Sequence, residues 1–211
     1  MKLEDPNITE EALAICLGHL YGGASSALVN ASNASAVLAT AYYLQLDELC
    51  QIAHTVCKQS LSGDNVGKYV AFSKATIQSP SSSTAVARYG TYSESLAKAA
   101  TEYLAETLPL EVGAFTSPPK PGGQETLIAA YSSLDFELFR SIAQSPAVQS
   151  RPTQELFSFL KRCVLARKKK LGTSLGEEQV VLAFAGKGSG NVQVLRKPTK
   201  KLAKIGPHAS T

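Results

Sequence analysis

The sequence predicts a mainly helical fold with one β-hairpin near its C-terminal end. Two patterns carry this. Between residues 8 and 170, apolar side chains recur at helical spacing, as in Leu13, Cys16, Leu17 and Leu20, or Leu156, Phe157, Leu160, Cys163 and Val164. After residue 178 the period changes. Val180-Val181-Leu182-Ala183-Phe184 is a β-branched apolar run, Asn191-Val192-Gln193-Val194-Leu195 alternates, and Gly186-Lys187-Gly188-Ser189-Gly190 joins them as a turn. The composition is globular: 211 residues, 44% hydrophobic, 18% charged and without tryptophan. That excludes collagen-like, coiled-coil and wholly disordered chains. No run approaches the roughly 18 apolar residues that cross a bilayer. The N-terminal Met1-Lys2-Leu3-Glu4-Asp5-Pro6 lacks the apolar core of a secretory signal.

The elements follow in order. Residues 8–21 read as a helix with Thr9 as N-cap and Glu10 and Glu11 in the first turn. Its expected buried face is Leu13, Cys16, Leu17 and Leu20, and Tyr21-Gly22-Gly23 stops it. Ser35 or Asn33 caps an alanine-rich helix over 34–44. Asp47 caps the next, 48–61, whose stripe is Leu49, Cys50, Ala53, Val56, Cys57 and Leu61. A short helix runs through Phe72. Ser79-Pro80-Ser81-Ser82-Ser83-Thr84 has linker chemistry. A helix over 93–107, with Leu96, Ala99, Ala100, Tyr103 and Leu104 inward, is expected to end at Pro109. A Pro/Gly loop over 116–124 precedes helices near 125–133 and 135–144. Pro152 and Thr153 open a final helix to about Lys170.

Charge is unevenly spread. Residues 1–150 hold 8 Lys and Arg against 14 Asp and Glu, a net of −6; residues 151–211 hold 13 against 3, a net of +10. The basic cluster is Arg167, Lys168, Lys169 and Lys170, followed by Arg196, Lys197, Lys200, Lys201 and Lys204. Such clusters bind nucleic acid or anionic membranes, act as import signals, or are simply solvated. Aromatic stacking partners for a single strand are missing after Phe184. The four cysteines, Cys16, Cys50, Cys57 and Cys163, sit in apolar helical patterns and read as small buried hydrophobes in a reducing, intracellular setting, cytoplasm or nucleus.

No catalytic constellation emerges. The 186–190 glycines lack the spacing and following helix of a phosphate loop. Cys50, His54 and Cys57 share a helix face but want a fourth ligand from another segment, so no metal is expected. Ser95-Leu96-Ala97-Lys98 and Ser158-Phe159-Leu160-Lys161 match a short serine–lysine motif without its companion motifs. Three histidines allow no nucleophile–base set by spacing, and no cofactor is implied.

Asp5-Pro6-Asn7-Ile8-Thr9-Glu10-Glu11-Ala12-Leu13, ending in Leu20-Tyr21-Gly22-Gly23, resembles a helix of the BTB (POZ) domain. Ala36 to Cys50, with Cys57 beyond it, is similar to the helical pair that follows in that fold. Tyr131 to Arg140 and Leu156 to Arg162 resemble helices of the BACK-like region of fungal BTB proteins. The resemblance implies the helical half of a BTB fold plus a helical extension. Its layout is a partial BTB domain over 1–72, a linker over 73–92, a BACK-like region over 93–171, and a hairpin and basic tail over 172–211. Nothing matches the strand-and-helix half that carries the family's dimer-forming helix, so family-style homodimerisation is not implied. Apolar faces that would pack on that half are expected to be partly exposed.

The implied function is a protein-interaction module, a substrate adaptor for a cullin-type ubiquitin ligase or a regulatory scaffold, and not an enzyme. The candidate partner-binding residues are Glu11, Ala14, Gly18 and His19 on the first helix, and Gln45, Asp47 and Glu48 at the later turn. The alternative is a helical protein that reaches nucleic acid or chromatin through the basic cluster. Salt separates the two, because phosphate-driven binding falls steeply as salt rises.

Overall fold

The computed structural model describes residues 5–22, 24–78, 85–118, 120–171, 178–184 and 190–196. The fold is mainly helical, with a two-stranded antiparallel sheet near the C-terminus. The chain forms two compact units, Met1–Glu111 and Val112–Thr211.

In the first unit, α1 spans Glu10–Gly22. The Thr9 hydroxyl accepts from the Ala12 N–H at 3.2 Å, which satisfies one of the helix's free donors. A 3₁₀ turn, Ala24–Leu28, leads to α2, Ala34–Tyr43. Asn33 stands at the N-cap of α2 but does not cap it with its side chain. Its Oδ1 accepts from Asn30 N–H, and its Nδ2 donates to Leu28 O and Glu11 Oε1. Asn33 thus braces the loop to α1.

The α2 helix is buried along Ala34, Val37, Leu38, Ala39, Thr40 and Ala41. Its small residues let neighbours approach closely. The Thr40 hydroxyl is satisfied by donating to Ala36 O at 2.8 Å. Gln45 takes a left-handed φ of 58° in the turn to α3, Asp47–Gln59. Leu49, Cys50, Ala53 and Cys57 of α3 are buried, and Val56 is half-buried. The next helix, α4, is Val66–Ser73.

Residues 73–92, expected as a linker, hold β1 (Thr76–Gln78) paired antiparallel with β2 (Ala85–Ala87), Ile77 opposite Val86. The Pro80 run between them lies outside the described residues. The next helix, α5, spans Gly90–Glu102. Pro109 does not end it, contrary to expectation. A π-helical turn, Tyr103–Thr107, carries the chain into α6, Leu108–Glu111, with Pro109 buried inside it. The wider turn accommodates a ring that lacks an N–H and would crowd the carbonyl four residues back.

Phe72 stacks on Tyr89 at 4.4 Å, with Tyr42 edge-on to Tyr89 at 5.9 Å. The Tyr89 hydroxyl donates to Asp5 Oδ2 and accepts from Asn7 Nδ2, while Arg88 pairs with Asp5 at 3.2 Å. The segment before α1 is thereby tied to residues 88–89.

The second unit contains α7 (Gly123–Ser132), α8 (Phe136–Ala143), α9 (Pro146–Gln149) and α10 (Thr153–Leu171). Asp135 caps α8 by accepting from Leu138 N–H at 3.0 Å. β3 (Glu178–Phe184) pairs antiparallel with β4 (Gly190–Arg196), Val181 opposite Gln193. Residues 185–189, expected as the turn, lie outside the described residues. Val192 and Val194 alternate inward and join Leu127, Tyr131, Phe139, Ile142, Leu156, Phe159, Leu160 and Cys163 in the core. The hairpin packs on α8 and α10.

Candidate interaction surface

The outward face of α1 differs from the one its spacing predicts. Ala12, Ile15 and Cys16 are buried, whereas Leu17, Leu20 and Tyr21 are 42, 55 and 90% exposed. Helical rotation puts Glu10, Ala14, Leu17, Gly18 and Tyr21 in one outward stripe. Leu28, on the adjoining 3₁₀ turn, is 59% exposed. The reason is that α1 carries apolar residues on every side, so the pattern alone does not orient it. The face of α1 carrying Ala12 and Cys16 packs inward and leaves the bulky leucines outside.

Of the residues selected from sequence, Ala14 and Gly18 are exposed within this stripe. Glu11 is exposed at its flank, but its carboxylate is held by Asn33 Nδ2 at 2.8 Å, so it is a brace as well as a surface charge. His19 lies on the inward side of α1, among Ala12, Ile15 and Cys16, its Nε2 4.0 Å from Glu48 Oε2, and its buried Nδ1 has no hydrogen-bond partner among the described residues. Glu48 and Asp47 are exposed in the first turn of α3, and Gln45 is exposed in the preceding turn. The structure therefore brings His19 and Glu48 together across two helices. Leu17, Leu20, Tyr21 and Leu28 escaped the sequence reading. Their signal was the Leu17-x-x-Leu20-Tyr21 cluster beside residues small enough to take the inner face.

The basic cluster is corrected at its first member. Arg167 is 2% exposed. Its Nε and Nη2 donate to the two oxygens of buried Glu178 at 2.7 and 3.1 Å, and Nη1 donates to the Tyr131 and Leu134 carbonyls. Arg167 also lies over the Phe139 ring at 4.7 Å. A cation held this way cannot bind phosphate. Arg196 is partly engaged as well, over Phe136 at 4.2 Å and 3.5 Å from Glu178. Lys168, Lys169 and Lys170 are exposed at the end of α10. Lys197, Lys200, Lys201 and Lys204 lie outside the described residues.

Burial pushes the Cys16 and Cys50 thiols up to about 11, and the Cys57 and Cys163 thiols up to about 12. They are protonated at neutral pH and poor nucleophiles. His54 is held below its ordinary pKa by burial and by the Lys58 charge, and its ring meets Tyr92 edge-on at 5.3 Å. Among the described residues, no group of three or more His, Cys, Asp or Glu is placed to hold a metal ion. Among the same residues, no helix is long and apolar enough to cross a membrane. No family model matches the chain, and neither a curated protein nor a solved structure matches it.

Proposed function

We propose that this chain is a protein-interaction module of BTB-related type, and that it binds a cullin-type scaffold through the outward face of α1. The observation that carries this reading is the set of large exposed apolar side chains Leu17, Leu20 and Tyr21 on α1, with Leu28 exposed on the adjoining 3₁₀ turn. Large apolar side chains grouped on one face supply the anchors of a protein contact. The resemblance of residues 5–61 to the helical half of a BTB domain supplies the partner class. In a cell such a module joins a ubiquitin-ligase scaffold to a substrate.

The test is titration of the purified chain with a purified cullin N-terminal region. Saturable binding that changes little between about 0.1 and 0.5 M salt is expected, because apolar contacts do not depend on counterion release. Leu17→Asp and Tyr21→Asp each weaken it at least about tenfold, the effect of losing an anchor. Both positions are exposed, so circular dichroism remains that of the parent. Absence of binding by a monodisperse, helical sample contradicts the cullin reading. A second reading, polyanion binding, rests on exposed Lys168, Lys169 and Lys170. It predicts steeply salt-dependent binding to DNA or RNA that is lost in the triple Lys→Glu variant at those positions and kept in Tyr21→Asp.

A further inference from the structure

A cavity of about 300 Å³ opens in the second unit, lined by Arg140, Gln144, Gln149, Asn191, Val192 and Gln193. It lies where α8 and α9 meet β4. Four of the six lining side chains are carboxamides, one is a guanidinium, and none is a carboxylate.

One side of the cavity is held by hydrogen bonds. Gln149 Nε2 donates to Ala143 O at 2.6 Å and to Val192 O at 2.8 Å, and Gln149 Oε1 accepts from Val192 N–H at 3.3 Å. One carboxamide thus fills both backbone groups that Val192 turns away from β3, as a third strand would. This fixes the Gln149–Val192 side of the cavity, while Arg140, Gln144 and Asn191 stand exposed around it.

Arg140 stands apart from its neighbours. Arg162 bonds Gln124 and Glu125, Arg167 bonds Glu178, Arg151 stacks on Phe115, and Arg196 stacks on Phe136. Among the described residues Arg140 has no carboxylate partner. It lies in the last turn of α8, where the helix dipole favours a cation. A guanidinium presents a planar fork of donors, suited to two oxygens of one anion. The carboxamides of Gln144, Asn191 and Gln193 can donate to the same anion or to a polar body attached to it.

We propose that this cavity is a binding site for a small oxyanion, an organic carboxylate or a phosphate ester, with Arg140 as its anchor. The volume suits a metabolite-sized ligand rather than a polymer. The site is independent of the α1 surface.

The test is NMR titration of the full chain with sodium succinate and, separately, with inorganic phosphate. Side-chain amide resonances of Gln144, Asn191 and Gln193 are the readout. Saturable shifts at these groups are expected with at least one of the two probes, and the tighter probe identifies the oxyanion. Arg140→Gln keeps a polar side chain, removes the charge and the guanidinium fork, and is expected to weaken binding at least fivefold. Arg140→Lys keeps the charge without the fork and is expected to fall between the two. The triple Lys→Glu variant at 168–170 leaves binding unchanged. Shifts that stay linear with both probes to about 100 mM, the weak extreme of specific affinity, overturn the site. So does binding that Arg140→Gln leaves intact, or that follows the α10 lysines instead.

Discussion

Arg167 shows how much a single side chain can hold. Its charge is buried with Glu178, and five described contacts satisfy it: two carboxylate bonds, two carbonyl bonds and the Phe139 ring. Deleting one partner leaves the other charge buried and unpaired. Arg167→Ala is therefore expected to cost about 3–5 kcal/mol, and the double variant Arg167→Met/Glu178→Leu less than either single truncation. Urea unfolding monitored by circular dichroism measures both. The basic run Arg167 to Lys170 reads as one solvated cluster when charge alone is considered. Its spacing said otherwise, because Arg167 continues the stripe of Leu160, Cys163 and Val164 at i+7, i+4 and i+3. What sequence could not supply was Glu178, eleven positions on and brought back by the hairpin.

Asp5 gives a second, pH-dependent contribution. Burial pushes its carboxyl up, but hydrogen bonds from Asn7 N–H, the Tyr89 hydroxyl and Arg88, with the Arg88 charge, outweigh this and hold it below 3.8. A carboxylate with a lowered folded pKa stabilises fully above its unfolded value. That contribution is lost as pH falls below about 4 toward the folded pKa. The stability difference between the parent chain and Asp5→Asn is thus expected to shrink between pH 5 and pH 2, as chemical unfolding at each pH will read.

At the scale of elements, helix existence was legible and helix facing was less so. The α3 stripe of Leu49, Cys50, Ala53 and Cys57 is buried as its period predicts, because polar residues occupy the rest of the helix. In α1 nearly every position is apolar or small, so tertiary packing chose the face. Pro109 was misleading for a local reason, the π-helical turn that precedes it.

Glycines at two helix starts make opposite predictions. A Cβ on Gly67, in the first turn of α4, meets nothing within 4 Å, and Gly67→Ala is expected to stabilise by up to about 1 kcal/mol. A Cβ on Gly123, at the first residue of α7, would stand 2.3 Å from the Val112 carbonyl oxygen, so backbone must move. Gly123→Ala is expected to destabilise by about 1–3 kcal/mol. Paired thermal melts decide: equal shifts of the same sign would contradict the described packing at one of the two helices.

At the scale of the whole molecule, the mainly helical class and the terminal hairpin were both readable from period alone. The hairpin's docking was not, because it depends on Gln149 meeting Val192 and Arg167 meeting Glu178, contacts 43 and 11 residues apart. The division at Glu111–Val112 was equally hidden, since the Pro/Ser run that attracts notice lies between two paired strands. On α1 the exposure of Ala14 and Gly18 was legible, and that of its leucines was not. Ala14 and Gly18 were chosen as outward-facing, while Leu17 and Leu20 were assigned to the buried face and Tyr21 to the stop that ends the helix.

The most direct test of the central claim is hydrogen–deuterium exchange of the chain with and without the cullin N-terminal region at saturating concentration. Added protection concentrated in peptides covering residues 10–28, and weaker protection at 45–48, is the predicted result. Protection confined to residues 161–171, or no change anywhere, would contradict the assignment of α1 as the contact surface.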